Sequence, residues 1–159
     1  MRIIIAIDGS EFSDAAVAKY CSAFAGKYDE VKILTVVEPM THIVGAPFGV
    51  VDEYYNTYIR EARNEAAGNL DKARSMLSDC LKGDQNITTE LAVGSPAQAV
   101  VETAAEWNAD LIVMGSHGRG FWQRVYLGSV SNSVVHNAPC SVLVVRGQGL
   151  GPTTLEQKQ

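Results

Sequence analysis

Two short stretches of the chain hold residue types that could do chemistry. The first is Asp8-Gly9-Ser10, directly after the apolar run at residues 3–7. The second follows Asp110-Leu111-Ile112-Val113-Met114; it opens with Gly115, Ser116, His117, Gly118, Arg119 and Gly120 and closes on Gly128-Ser129. A buried strand, a glycine-rich loop and a helix starting Gly-Ser together suit an anion. Small residues let backbone N–H groups come close, and a helix N-terminus adds unpaired donors and partial positive charge. The spacing is Gly-x2-Gly-x9-Gly-Ser at Gly115, Gly118, Gly128 and Ser129.

The familiar phosphate and nucleophile patterns are missing. There is no GxxxxGK[ST], so the chain is not a P-loop NTPase. The turn after the first apolar run has only Gly9, which rules out the dinucleotide fingerprint, and no GxSxG nucleophile elbow occurs. A Ser-Gly-Gly-x-Asp-Ser loop of the pyrophosphatase type is only faintly echoed by Asp8-Gly9-Ser10.

Other polar residues have plainer readings. His117 offers a backbone N–H to phosphate more readily than a general base, His136 reads as a helix-end or surface residue, and His42 lies in a loop. Ser95 reads as an N-cap, with Gln98 completing a capping box, and Ser10 as a cap for the first helix. Tyr54, Tyr55 and Tyr58 read as helix packing. Phe121 and Trp122 form a bulky pair inside the glycine loop, suited to a lid or a partner contact. Arg119 and Arg124 are placed to offset phosphate charge.

The elements that must position these residues follow from periodicity. Residues 3–7 and 31–37 are continuous apolar, β-branched runs, as in strands buried on both faces. Between them Phe12, Ala15, Ala16, Tyr20 and Phe24 recur at helical spacing up to Gly26. A loop with His42 and Phe48 precedes a long helix over residues 51–81, whose stripe includes Tyr55, Tyr58, Ala62, Ala66, Leu70, Ala73 and Leu77. Gly68 inside it is a candidate kink. Residues 86–93 alternate as a strand. A helix opened by Gly94-Ser95-Pro96 runs to Trp107, residues 111–114 form a fourth strand, and residues 141–145 a fifth. This alternation predicts an α/β fold: an open doubly wound parallel sheet with helices on both faces, order 3-2-1-4-5. Ligands in such sheets bind at the carboxyl ends of the strands, where Asp8 and Gly115 to Gly120 belong. The last strand falls on an edge with no Lys or Pro to blunt it, which predicts a homodimer formed by pairing with its copy.

The 159 residues fit one domain, and a net charge of -5 argues against nucleic acid or an anionic membrane as partner. Cys21, Cys80 and Cys140 are far apart and lack metal-ligand spacing, so they read as reduced, buried thiols. No apolar run is long enough to cross a bilayer or to act as a signal segment, and the expected location is cytoplasmic.

Over residues 2–146 the chain resembles the universal stress protein family. The resemblance rests on Ile5-Ala6-Ile7-Asp8-Gly9-Ser10, Val93-Gly94-Ser95-Pro96-Ala97, Asp110 through Gly118, Leu127-Gly128-Ser129-Val130-Ser131 and Ala138-Pro139-Cys140 with the strand after it. It implies one domain over residues 1–146 with a loose tail at 147–159, and a fold of the adenine-nucleotide alpha-hydrolase-like type. The intact Gly-x2-Gly-x9-Gly-Ser resembles the ATP-binding branch. By that resemblance Gly115, Ser116, His117, Gly118, Arg119 and Gly120 wrap ribose and phosphates, and Gly128, Ser129, Val130 and Ser131 bind phosphate. Asp8 faces the ribose or adenine side, Ile7 and Val37 flank the adenine, and Ser10 and Met114 complete the set. The implied cofactor is ATP with Mg2+, and the implied role is a dimeric, nucleotide-dependent regulator read by a protein partner. The alternatives are a slow ATPase or self-phosphorylating enzyme, or an interaction module that binds another adenine nucleotide, such as cyclic AMP, or none.

Overall fold

The structure is a computed structural model that describes residues 1–25, 29–39, 50–81, 86–118 and 127–147, with only the backbone described for residues 50–53. Five strands alternate with four helices: β1 (Arg2–Ile7), α1 (Glu11–Ala23), β2 (Glu30–Val37), α2 (Val50–Leu81), β3 (Ile87–Val93), α3 (Pro96–Glu106), β4 (Leu111–Gly115), α4 (Ser129–Asn137) and β5 (Ser141–Val145). All pairings are parallel, in the order β3-β2-β1-β4-β5 expected from sequence.

The apolar run of β1 explains the two layers. Successive strand side chains point to opposite faces. Ile3, Ile5 and Ile7 enter a core with Ala16, Val17 and Tyr20 of α1 and Leu70, Ala73 and Leu77 of α2. Ile4 enters a second core with Val100 and Ala104 of α3, Ile112 and Met114 of β4 and Val134 of α4. Thus α1 and α2 cover one face, α3 and α4 the other. Ile3, Ile4 and Ile5 are all fully buried, which is why this strand has no polar alternation to read.

Several local expectations are corrected. Helix α1 stops at Ala23 with Phe24 as its C-cap, so Phe24 lies past the amphipathic stripe and is exposed. Ser95 stands at the N-cap of α3, but its side chain makes no cap hydrogen bond. No capping box forms, because the Gln98 amide donates to Glu102 Oε1 at 2.7 Å, one turn along its own helix. Helix α2 continues through Gly68 without a break. The three cysteines are half-buried free thiols rather than fully buried ones. His136 is exposed near the end of α4, with Nδ1 2.8 Å from the Asn132 carbonyl. Among the described residues, no helix is long and apolar enough to cross a membrane. His42 and Phe48, and the tail beyond Gly147, lie outside the described residues.

Candidate functional site

The β1–α1 turn is built around one carboxylate. Asp8 Oδ1 accepts from the Ser10 N–H at 3.0 Å and from Ser10 Oγ at 2.6 Å. Ser10 Oγ in turn accepts from the Ser13 N–H at 3.3 Å, capping α1. Gly9 between them has φ +78°, a left-handed conformation that favours glycine. The chain of bonds fixes Asp8 at the carboxyl end of the central strand and leaves Oδ2 turned toward Gly118. A Cβ on Gly118 would stand 2.8 Å from that oxygen.

On the other side, Ser116 gathers both ends of the glycine loop. Its carbonyl accepts from the Gly128 N–H at 2.8 Å and from Ser131 Oγ at 2.9 Å. Its own N–H donates to the Val145 carbonyl at 2.8 Å, continuing the sheet. Its hydroxyl lies 3.0 Å from Nδ1 of His117, whose ring packs at 52° against Phe12 with centroids 5.3 Å apart. Helix α4 starts just beyond, with Gly128 at its N-cap and no side-chain cap. The N–H groups of Ser129, Val130 and Ser131 therefore have no partner within their helix and no capping oxygen.

These parts line one cleft of about 680 Å3, within the range of small-molecule sites. Ile7, Asp8, Val37, Met114, Gly115, His117, Gly118, Gly128, Ser129, Val130 and Ser131 all border it. Ser10 and Ser116 do not; the first is spent on Asp8 and the α1 cap, and the second is buried beneath the loop. The Ser131 hydroxyl is likewise committed, since it donates to the Ser116 and Gly128 carbonyls. Arg119, Gly120, Phe121, Trp122 and Arg124 lie outside the described residues.

Gly115 borders the cleft and is also demanded by packing. A Cβ there would lie 2.8 Å from the Phe12 carbonyl carbon, so the missing side chain lets the first turn of α1 seat on β4. The sequence reading also missed an entire wall. Tyr58, Glu61, Ala62, Glu65, Ala66 and Asn69 bring α2 over the cleft, and Pro96 and Val100 bring the start of α3. Tyr58, read as packing, borders the cleft and donates from its hydroxyl to the Glu38 carbonyl at 3.3 Å. The one available signal was Tyr58, Ala62, Ala66 and Asn69 on one helical stripe, which looks the same as a core-facing one.

The charge around the cleft is uneven. Asp8, Glu38, Glu61 and Glu65 border it, and among the described lining residues there is no Lys or Arg. Positive potential comes from the open N-terminus of α4 instead. The open start of α4 at Gly128 to Ser131 suits an anionic ligand group, and the carboxylate side suits hydrogen-bond donors of a ligand. Among the described residues, no cluster of His, Cys, Asp and Glu could hold a metal ion by itself.

The model of the universal stress protein family matches residues 1–146. The universal stress protein MJ0531 of Methanocaldococcus jannaschii is 38% identical over 146 residues, covering 91% of this chain and 81% of its own. Among solved structures, hypothetical protein MJ0577 superposes with a TM-score of 0.80 at 26% identity, over 94% of this chain and 97% of that one. A universal stress protein in complex with cAMP superposes with a TM-score of 0.63 at 27% identity, over 92% and 97%. With its sheet order, its glycine loop and these matches, the chain belongs to the universal stress protein family.

Proposed function

We propose that the chain binds ATP in the cleft and acts as a homodimeric, nucleotide-dependent regulator in the cytoplasm. The observation that carries this is the uncapped start of α4 facing Asp8 across the cleft. Phosphate sits on the N–H groups of Ser129 to Ser131, the sugar over β1, and the base beside Val37 at the end of β2. Asp8 takes a sugar or base donor rather than phosphate, because like charges repel.

Mg2+ fits this arrangement as an ion carried on the phosphates. With four carboxylates around the cleft and no described Lys or Arg lining it, a cation bound with the triphosphate would offset charge that this lining does not. The chain's own residues bind and orient, and the lack of a GxxxxGK[ST] loop in the sequence leaves no P-loop lysine to drive phosphoryl transfer.

Titration calorimetry with ATP and Mg2+ tests the reading. Heat of binding is expected, with a rise in melting temperature that grows with ligand concentration. No heat and no rise at millimolar ATP overturn it. Cyclic AMP is the second reading, favoured by the cAMP complex of the 27% identical relative. Competition between the two nucleotides ranks them.

A further inference from the structure

Asn69 is the one polar side chain of the α2 wall for which packing alone gives no account. It sits in the middle of a long helix, next to the buried Ala66, Leu70 and Ala73, at a position where Asn is a poor helix former. Its Nδ2 is buried and has no hydrogen-bond partner among the described residues. Buried amides left unpaired are rare in native proteins and call for a missing partner. The side chain lies in the notch left by Gly9, where a Cβ would come closest to Nδ2 and within 2.7 Å of both Cγ and Oδ1 of Asn69, so the amide nitrogen faces Gly9. It borders the cleft with Asp8.

Its place along the cleft identifies the ligand group. The central strand β1 ends at this notch, β2 ends at Val37 on one side, and β4 leads to the α4 N-terminus on the other. A mononucleotide with its phosphate on α4 and its base beside β2 has its sugar between them, over Asp8, Gly9 and Asn69. We propose that Asn69 is a sugar-binding residue, whose side-chain amide donates to one ribose hydroxyl while Asp8 accepts from the other. Rotation about its terminal torsion turns the amide into the cleft, and Gly9 holds the rest of the side chain in place. A vicinal diol presents two groups that both donate and accept, and an amide beside a carboxylate complements it.

The inference rests on the nucleotide reading above, and the experiment separates the two. Wild type, Asn69→Leu and Asn69→Ala are titrated with ATP, 2′-deoxy-ATP and 3′-deoxy-ATP, all with Mg2+, after melting curves establish that each is folded. Asn69→Leu keeps the bulk and removes the donor; Asn69→Ala carries the comparison if Leu does not fold. Affinity for ATP is expected to fall about three- to tenfold in either variant. With the deoxy analogue that lacks the contacted hydroxyl, variant and wild type are expected to bind alike. Variants that bind ATP as wild type does overturn the inference alone, as does a loss of the same size with all three nucleotides. A wild-type chain that binds none of them overturns the nucleotide reading, and this inference with it.

Discussion

The carboxylate of Asp8 fills the space into which a side chain on residue 118 would project. A Cβ at Gly118 would lie 2.8 Å from Asp8 Oδ2, while Asp8 Oδ1 is held by the N–H and hydroxyl of Ser10. The contact joins the β1–α1 turn to the glycine loop at one point. The atom in the way is the tip of a side chain, so Gly118→Ala turns the carboxylate aside and leaves the backbone where it is. We expect this variant to lose about tenfold or more in ATP affinity, the scale of one charge-assisted hydrogen bond, with stability changed by less than about 1 kcal/mol. Calorimetry and thermal melting read the two quantities separately.

Gly115→Ala is expected to behave in the opposite way. Its Cβ would press on the Phe12 carbonyl carbon and Cβ at 2.8 Å, which are parts of α1 that cannot swing away. The helix must lift from β4, at a cost of about 1–3 kcal/mol in urea unfolding. Weaker nucleotide binding follows from that displacement. If Gly115→Ala melts like wild type, Phe12 is not the constraint.

Alkaline pH should destabilise the fold through Tyr20. Its side chain is fully buried and donates to Asp29 Oδ2 at 2.9 Å. Burial, then the bond to Asp29, holds the phenol well above its ordinary 10.0. Between pH 10 and the folded value the native state keeps a proton that the unfolded chain releases. Stability from this group is therefore complete below about pH 10 and falls as pH rises, by up to about 1.4 kcal/mol per pH unit. Cys21 adds an earlier onset, since burial and the neighbouring Cys80 thiol push it from 9.0 up to about 12. Tyr20→Phe should remove the tyrosine part of the slope. It should also cost about 1.5–3 kcal/mol at neutral pH, because Asp29 then keeps the Met1 ammonium at 3.3 Å but loses the phenol. Unfolding by urea from pH 7 to 11 checks both.

The proposed dimer is tested at the sheet edge. Among the described residues β5 pairs with β4 on one side only, and Val142, Leu143 and Val144 are half-buried. Val142 and Val144 also pack on the α3/α4 core, so Val142→Lys with Val144→Lys is judged with a melting curve that establishes the variant as folded. A shift from dimer to monomer mass in light scattering is expected. A dimer that survives the double substitution places its interface elsewhere.

How far the sequence could be read depended on what each residue reports. The run Ile3-Ile4-Ile5 announced a strand buried on both faces, because only a parallel strand between two helical layers tolerates no polar position. Gly128-Ser129 announced a helix start, and the two glycine turns announced which end of the sheet to look at. The α2 wall stayed hidden because periodicity shows that Tyr58, Ala62, Ala66 and Asn69 share a face, not whether that face meets a core or a cleft. The role of Gly115 stayed hidden for a related reason. A missing side chain shows that something comes close but not what, and one such neighbour of Gly115 is Phe12. The Ser95–Gln98 pattern misled because a side chain able to cap can also bond along its own helix, as Gln98 does with Glu102.

The grip on the Ser116 carbonyl has a consequence for how such a chain can change. With the Gly128 N–H and the Ser131 hydroxyl both on that oxygen, the end of β4 and the start of α4 are pinned together at one clasp. The clasp sets how β4 and α4 sit, whatever the number of residues between them. Closing a longer excursion costs only about 0.6 kcal/mol for each doubling. Insertions there need not be matched by changes in β4 or α4. The length between its two ends can therefore drift over generations while the start of α4, on which the proposed nucleotide site rests, is inherited unchanged.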